Sequence, residues 1–166
     1  MGGLEIAVLG PVSATIDGQP VPIRSVQQRV LLARLALDVG RTVSVSRLAE
    51  TLWPVYVPAD AEGNLQSYVS RLRALIGSDR LVYEPTGYRL IVDVADTDLG
   101  AARSLAADAA QRSADDPAGA AGLLRSALSL WRGAPLAHLP ETIVFAPDLA
   151  HLGLGVDSST KSGAHC

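Results

Sequence analysis

Ala61-Glu62-Gly63-Asn64-Leu65-Gln66-Ser67-Tyr68-Val69-Ser70-Arg71-Leu72-Arg73-Ala74-Leu75-Ile76 is the stretch on which the fold turns. An α-helix advances about 100° per residue, so Val69, Leu72 and Ile76 project within about 40° of Leu65 and make one apolar stripe. The opposite side holds Gly63, Asn64, Ser67, Ser70, Arg71 and Ala74, with Gln66, Tyr68 and Arg73 on the rims. Asp60 is a plausible N-cap and Gly77 a stop, which predicts a helix over 61–76. The outward face is small, polar and basic, with no acid between Gly63 and Ile76. Small residues let a backbone approach base edges in a major groove, and Asn, Gln, Ser and Arg hydrogen-bond to those edges or to phosphates. An ordinary amphipathic helix with a solvated face fits the same pattern, so the neighbouring segments decide between the two.

Downstream, Arg80–Glu84 and Tyr88–Val92 are two β-prone runs around Pro85-Thr86-Gly87, which predicts a hairpin. Upstream, Trp53–Asp60 carries two prolines and reads as a loop. A short helix over 46–52 precedes it, then the short β-prone Thr42-Val43-Ser44, then a helix over 26–38 capped by Ser25. Short helix, loop, polar-faced helix and hairpin follow the order of a winged helix-turn-helix. In that arrangement one helix enters the major groove and the hairpin reaches the adjacent minor groove. Arg89, beyond the hairpin tip, is the candidate minor-groove residue, with a solvated strand position as its plain alternative. Tyr88 is expected to pack in the core.

At the N-terminus, residues 4–9 and 12–16 read as strands, and Asp17-Gly18 is a hairpin signal leading to a return strand over 19–23. Pro20 and Pro22 suit an edge. The character changes at Asp93. Asp96-Thr97 can cap an Ala- and Leu-rich helix over 98–113, and Asp116-Pro117 starts another that reaches Trp131-Arg132. These two helices predict an antiparallel pair with an apolar face (Leu99, Ala102, Leu105, Ala106 against Leu123, Leu124, Ala127, Leu128, Trp131) and few partners to cover it. Trp53 and Trp131 are expected as core anchors. Residues 153–166 are small and polar and are expected to be disordered.

The chain has 166 residues, 48% hydrophobic and 19% charged, which suits a globular core. It has no apolar run long enough for a membrane span and no secretory signal, so a cytoplasmic protein with no membrane contact is the expectation. The single cysteine, Cys166, forms no disulfide framework within the chain. His138, His151 and His165 lack metal-ligand spacing, and Gly153-Leu154-Gly155 lacks the strand and helix of a dinucleotide fingerprint. Asp115-Asp116 reads as a turn and cap. No catalytic residue, metal or cofactor is expected. Net charge is −3, yet residues 1–92 carry nine basic and eight acidic groups, so contact with nucleic acid depends on local arginines.

Gln28-Arg29, Val43-Ser44-Val45-Ser46-Arg47-Leu48 with Leu52-Trp53, Tyr68-Val69-Ser70-Arg71-Leu72-Arg73, and Gly87-Tyr88-Arg89-Leu90 together resemble the Streptomyces antibiotic regulatory protein family over about residues 4–150. These are pathway-specific activators of secondary-metabolite gene clusters, which join an OmpR-type winged-helix domain to a bacterial transcriptional activation domain. The resemblance implies that Arg71 and Arg73 contact DNA from the recognition helix, Arg89 from the wing, and Arg29 a phosphate. Asn64, Ser67 and Ser70 would face the groove. It implies that loop 53–60 can meet RNA polymerase and that protomers sit side by side on direct repeats of double-stranded DNA, with self-association there. The sequence departs from the family at Gln27, Ser46 and Glu62, where Lys, Asp and Arg are common. Loss of the Lys and Arg charges implies weaker binding or a changed site.

The expectation is therefore an α+β protein. Residues 1–92 would form a winged helix-turn-helix with an N-terminal antiparallel sheet and a C-terminal wing hairpin. Residues 93–152 would form a short helical, TPR-like partial activation domain, and 153–166 a tail. The expected function is a sequence-specific DNA-binding activator of antibiotic biosynthesis genes that reaches RNA polymerase through loop 53–60 or the helical segment. The alternative is a protein-interaction module, or a truncated regulator with weak or no DNA binding.

Overall fold

A computed structural model describes residues 3–139 as two three-stranded antiparallel sheets and five α-helices. The tail expected over 153–166, and the end of the helical segment, lie outside the described residues.

The first sheet runs in the order β1 (Leu4–Ala7), β2 (Ser13–Ile16), β3 (Gln19–Pro20). Leu4 pairs with Ile16 and Ile6 with Ala14, which sets Leu4, Ile6 and Ala14 on the buried face. Asp17 and Gly18 both take positive φ, 52° and 78°, as the two-residue hairpin turn requires. The return strand is only two residues long, not the five expected. Proline has no amide hydrogen to donate, and Pro20 and Pro22 leave the ladder little to extend on.

Helix α1 (Val26–Leu37) is capped by Ser25, whose Oγ accepts from the Gln28 amide at 3.4 Å. Residues 30–36 are buried without a break, so this helix is enclosed on all sides over its middle and end, while its first turn reaches the surface at Gln27. The series includes Arg34, whose guanidinium pairs with Asp38 at 3.5 Å, and Asp38 in turn lies 3.9 Å from Arg47 of the next helix. That helix, α2 (Val45–Leu52), is capped by Ser44. Then α3 (Ala61–Ile76) starts at Asp60, whose side chain accepts from the Gly63 amide at 3.1 Å, and stops at Gly77. Its buried residues are Leu65, Val69, Leu72 and Ile76, the stripe read from periodicity.

The strands β5 (Leu81–Glu84) and β6 (Gly87–Leu90) form the expected hairpin around Pro85-Thr86. It does not stand alone. The short run Thr42–Ser44 forms β4, and β6 lies between β4 and β5. Gly87 permits this: a Cβ there would fall 1.9 Å from the Val43 carbonyl oxygen, inside van der Waals contact.

After a 3-10 turn at Val94–Asp96, α4 (Asp98–Arg112) and α5 (Pro117–Ser129) pack as a pair, capped by Thr97 and Asp116. Helix α5 ends at Ser129, before the expected Trp131-Arg132, because the chain there turns to dock on the β1–β2 connection. The Arg132 amide donates to the Leu9 carbonyl at 2.8 Å and the Leu136 amide to the Val8 carbonyl at 2.9 Å. Asp98 accepts from the Val8 and Leu9 amides, each at 2.9 Å. Leu99, Ala102, Ala127 and Leu136 thus share one hydrophobic cluster with Leu31 and Leu72. Trp53 and Trp131 are partly buried against that cluster. On the outer side, Leu124 and Leu128 remain exposed. Among the described residues, no helix is long and apolar enough to cross a membrane.

Candidate nucleic-acid interface

With Leu65, Val69, Leu72 and Ile76 turned inward, the rest of α3 has one place to go. Asn64, Ser67, Ser70, Arg71 and Ala74 are all exposed on its outer side. The two rims differ. Tyr68 leans toward Trp53, ring centroids 6.3 Å apart, and closes the side next to α2. The other rim borders an open cleft of about 320 Å³ between α3 and the hairpin, lined by Glu62, Gln66, Ser70, Arg73, Tyr83 and Tyr88, with Val45, Leu65 and Val69 beneath.

Arg73 is half-buried there, and its Nη2 donates to the Ser78 carbonyl at 3.3 Å. Tyr88 is buried, as expected of a core residue. Burial pushes its phenol above the usual 10, with Tyr83 and Glu62 adding to the rise and Arg73 opposing it. Tyr83 meets Tyr88 edge to face at 5.3 Å and is 64% exposed. Sequence reasoning missed Tyr83. A two-residue turn at Pro85-Thr86 fixes Glu84 opposite Gly87 and hence Tyr83 opposite Tyr88, so hairpin register was the signal that could have found it.

The other expected contact residues stand elsewhere. Arg89 lies on the middle strand, between Thr42 and Val82, with Tyr88 and Leu90 pointing inward on either side of it. Its Nε is 2.8 Å from Glu84 Oε1, and Glu84 also accepts from the Thr42 hydroxyl. It faces a second cleft, with Asp79, Arg80, Asp93 and Asp96, and is not gathered with the α3 residues. Arg29 is half-buried on α1, and its Nε is shut away from solvent without a hydrogen-bond partner among the described residues. In the loop before α3, Val55, Tyr56 and Val57 are exposed in succession. Among the described residues no cluster of His, Cys, Asp or Glu could hold a metal ion. His151, His165 and Cys166 lie outside them.

Residues 97–154 match the bacterial transcriptional activator domain family. The chain is 43% identical over 142 residues to the regulatory protein AfsR of Streptomyces coelicolor, covering 84% of this chain and 14% of AfsR. It is 33% identical over 149 residues to the transcriptional regulator RedD of the same organism, covering 84% of this chain and 42% of RedD. Among solved structures, Mycobacterium tuberculosis EmbR in complex with a low-affinity phosphopeptide superposes with a TM-score of 0.85 at 33% identity, over 92% of this chain and 42% of that one. The chain therefore spans about one seventh of AfsR and less than half of RedD and EmbR.

Proposed function

The chain belongs to the Streptomyces antibiotic regulatory protein family, and from that premise we propose that it is a sequence-specific, duplex-DNA-binding activator of secondary-metabolite genes. In this reading residues 1–92 are an OmpR-type winged helix, with α3 as recognition helix and β5–β6 as wing, and residues 93–152 are the helical, TPR-like activation segment. The observation that carries it is the uncovered outer face of α3. Four exposed side chains able to bond base edges or phosphates, Asn64, Ser67, Ser70 and Arg71, lie on a helix anchored from beneath by four buried apolar ones.

The sugar-phosphate backbone would then pass only the Arg73 end of the cleft between α3 and the hairpin, where that guanidinium supplies charge, with the Tyr83 hydroxyl as a donor from the hairpin side. Arg71 would reach into the major groove. Arg29 would hold a phosphate near the start of α1. Arg89 would contribute from the wing only by exchanging Glu84 for DNA, so its net effect is smaller than that of Arg71. Val55, Tyr56 and Val57 would present loop 53–60 to RNA polymerase, and protomers would line up on direct repeats.

Titrating the full chain onto labelled promoter duplexes at stepped salt tests the proposal. If four phosphates are neutralised per protomer, the logarithm of affinity falls with that of salt at a slope of roughly −3.6. Failure to retard any duplex at low salt overturns it. One observation favours a second reading, a protein-interaction module: Leu124 and Leu128 are exposed side by side on α5, while residues 1–92 carry barely any net positive charge. A protein partner recovered by the chain, together with silence on DNA, would establish it.

A further inference from the structure

The cleft-side rim of α3 has its own chemical order. Glu62, Gln66, Ser70 and Arg73 follow one another along it, all lining the cleft that faces the hairpin. Spaced by three or four residues, they form a single row, and its ends are about 16 Å apart at 1.5 Å per residue. One end is a carboxylate that only accepts hydrogen bonds, the middle is an amide and a hydroxyl that do both, and the far end is a guanidinium that only donates. Glu62 is exposed and, among the described residues, enters no ion pair, so its acceptor capacity is not spent on any of them.

A carboxylate on a DNA-facing surface cannot take a phosphate, because like charges repel. What it can take is a donor on a base edge. In the major groove cytosine presents its N4 amino group as the donor. Guanine offers two acceptors, thymine an acceptor and a methyl group, and adenine sets its N7 acceptor beside its N6 amino group. Cytosine is thus the base whose edge meets an acceptor-only group without an opposing lone pair.

We propose that Glu62 is a specificity-determining residue that accepts from the N4 amino group of a cytosine, so that the start of α3 selects a C·G pair while Arg73 at the far end holds the backbone. This rests on the DNA-binding reading above. Glu62 needs no partner from the rest of the fold to play this part, and its removal leaves the buried stripe of α3 untouched.

Binding-site selection from randomised duplexes, run with the full chain and with Glu62→Ala and Glu62→Gln, tests it, with circular dichroism confirming that the variants fold. The wild-type chain is expected to enrich cytosine at one position by on the order of ten-fold over the other bases. Glu62→Ala should lose that preference and keep the rest of the selected sequence. Glu62→Gln, whose amide both donates and accepts, should shift the same position toward adenine. An unchanged selected sequence in Glu62→Ala, or an equal gain in affinity for every duplex, overturns the assignment while leaving DNA binding intact. Retention of no duplex by the wild-type chain overturns both.

Discussion

At the β1–β2 connection almost every polar group is spoken for. Asp98 accepts the Val8 and Leu9 amides, Arg132 donates its amide to Leu9 and a guanidinium N–H to the Pro11 carbonyl at 2.8 Å, and Leu9 and Leu136 are fully buried beneath. In the cleft beside α3 the balance is reversed. Gln66, Ser70 and Tyr83 lie open, and the outer face next to them carries Asn64, Ser67 and Arg71 with their hydrogen-bonding groups turned to solvent. The first region meets its own chain and holds the helical pair on the N-terminal sheet. The second is stocked with donors and acceptors that folding does not consume. A surface that must bind another molecule has to keep such groups uncommitted, and the stability for doing so has to come from elsewhere in the fold.

Substitutions can break that contrast or make it sharper. The largest effect is expected for Leu9→Ala, which opens a cavity under the docked segment. Chemical denaturation should show a loss of about 2–5 kcal/mol, and a loss below 1 kcal/mol would mean that the segment does not lock the two parts together. Next comes Asp98→Ala, which strands the Val8 and Leu9 amides in a part-buried turn. About 2–3 kcal/mol should disappear from the unfolding free energy, and an unaltered midpoint would show that water replaces the carboxylate freely.

Arg71→Ala should act on the opposite side of the comparison. Affinity for the preferred duplex should fall by about 1–3 kcal/mol, and unequally across site variants, if Arg71 reads a guanine, with folding stability shifted by no more than about 0.5 kcal/mol. An equal loss on all sequences would reduce Arg71 to a phosphate contact. Least of all is expected from Leu128→Ala. This side chain is 67% exposed on α5, so the unfolding free energy of the chain, read by chemical denaturation, should change by no more than about 0.5 kcal/mol. A larger drop would show the helical pair packing against another copy.

Much of this was legible in local sequence. The buried stripe of α3, the caps at Ser25, Asp60, Thr97 and Asp116, and the Asp17-Gly18 turn are each settled by hydrogen bonds or side-chain periodicity within a few residues. So was the exposure of Asn64, Ser67, Ser70 and Arg71, because fixing the inner face of a helix fixes its outer one. Arg89 shows the limit. Its place beyond the hairpin tip makes it a candidate for the minor groove, and what the local sequence does not show is its ion pair with Glu84 across the turn. Arg29, which the resemblance implies as a phosphate contact, is half-buried, and its local sequence does not show that.

The sequence by itself determined where the five helices and the two hairpins lie and which side of α3 is buried, though not the ends of β3 and α5. Those outcomes depend on neighbours within one or two turns. Tertiary structure alone decided that Thr42–Ser44 completes the hairpin sheet, that Trp131–Leu136 leaves its helix to dock on residues 8–11, and that Tyr83 and Glu62 border one cleft. Each of these joins residues tens of positions apart. The hydrogen bonds and contacts involved are much alike from one site to the next, so the choice among partners rests on how the whole chain packs.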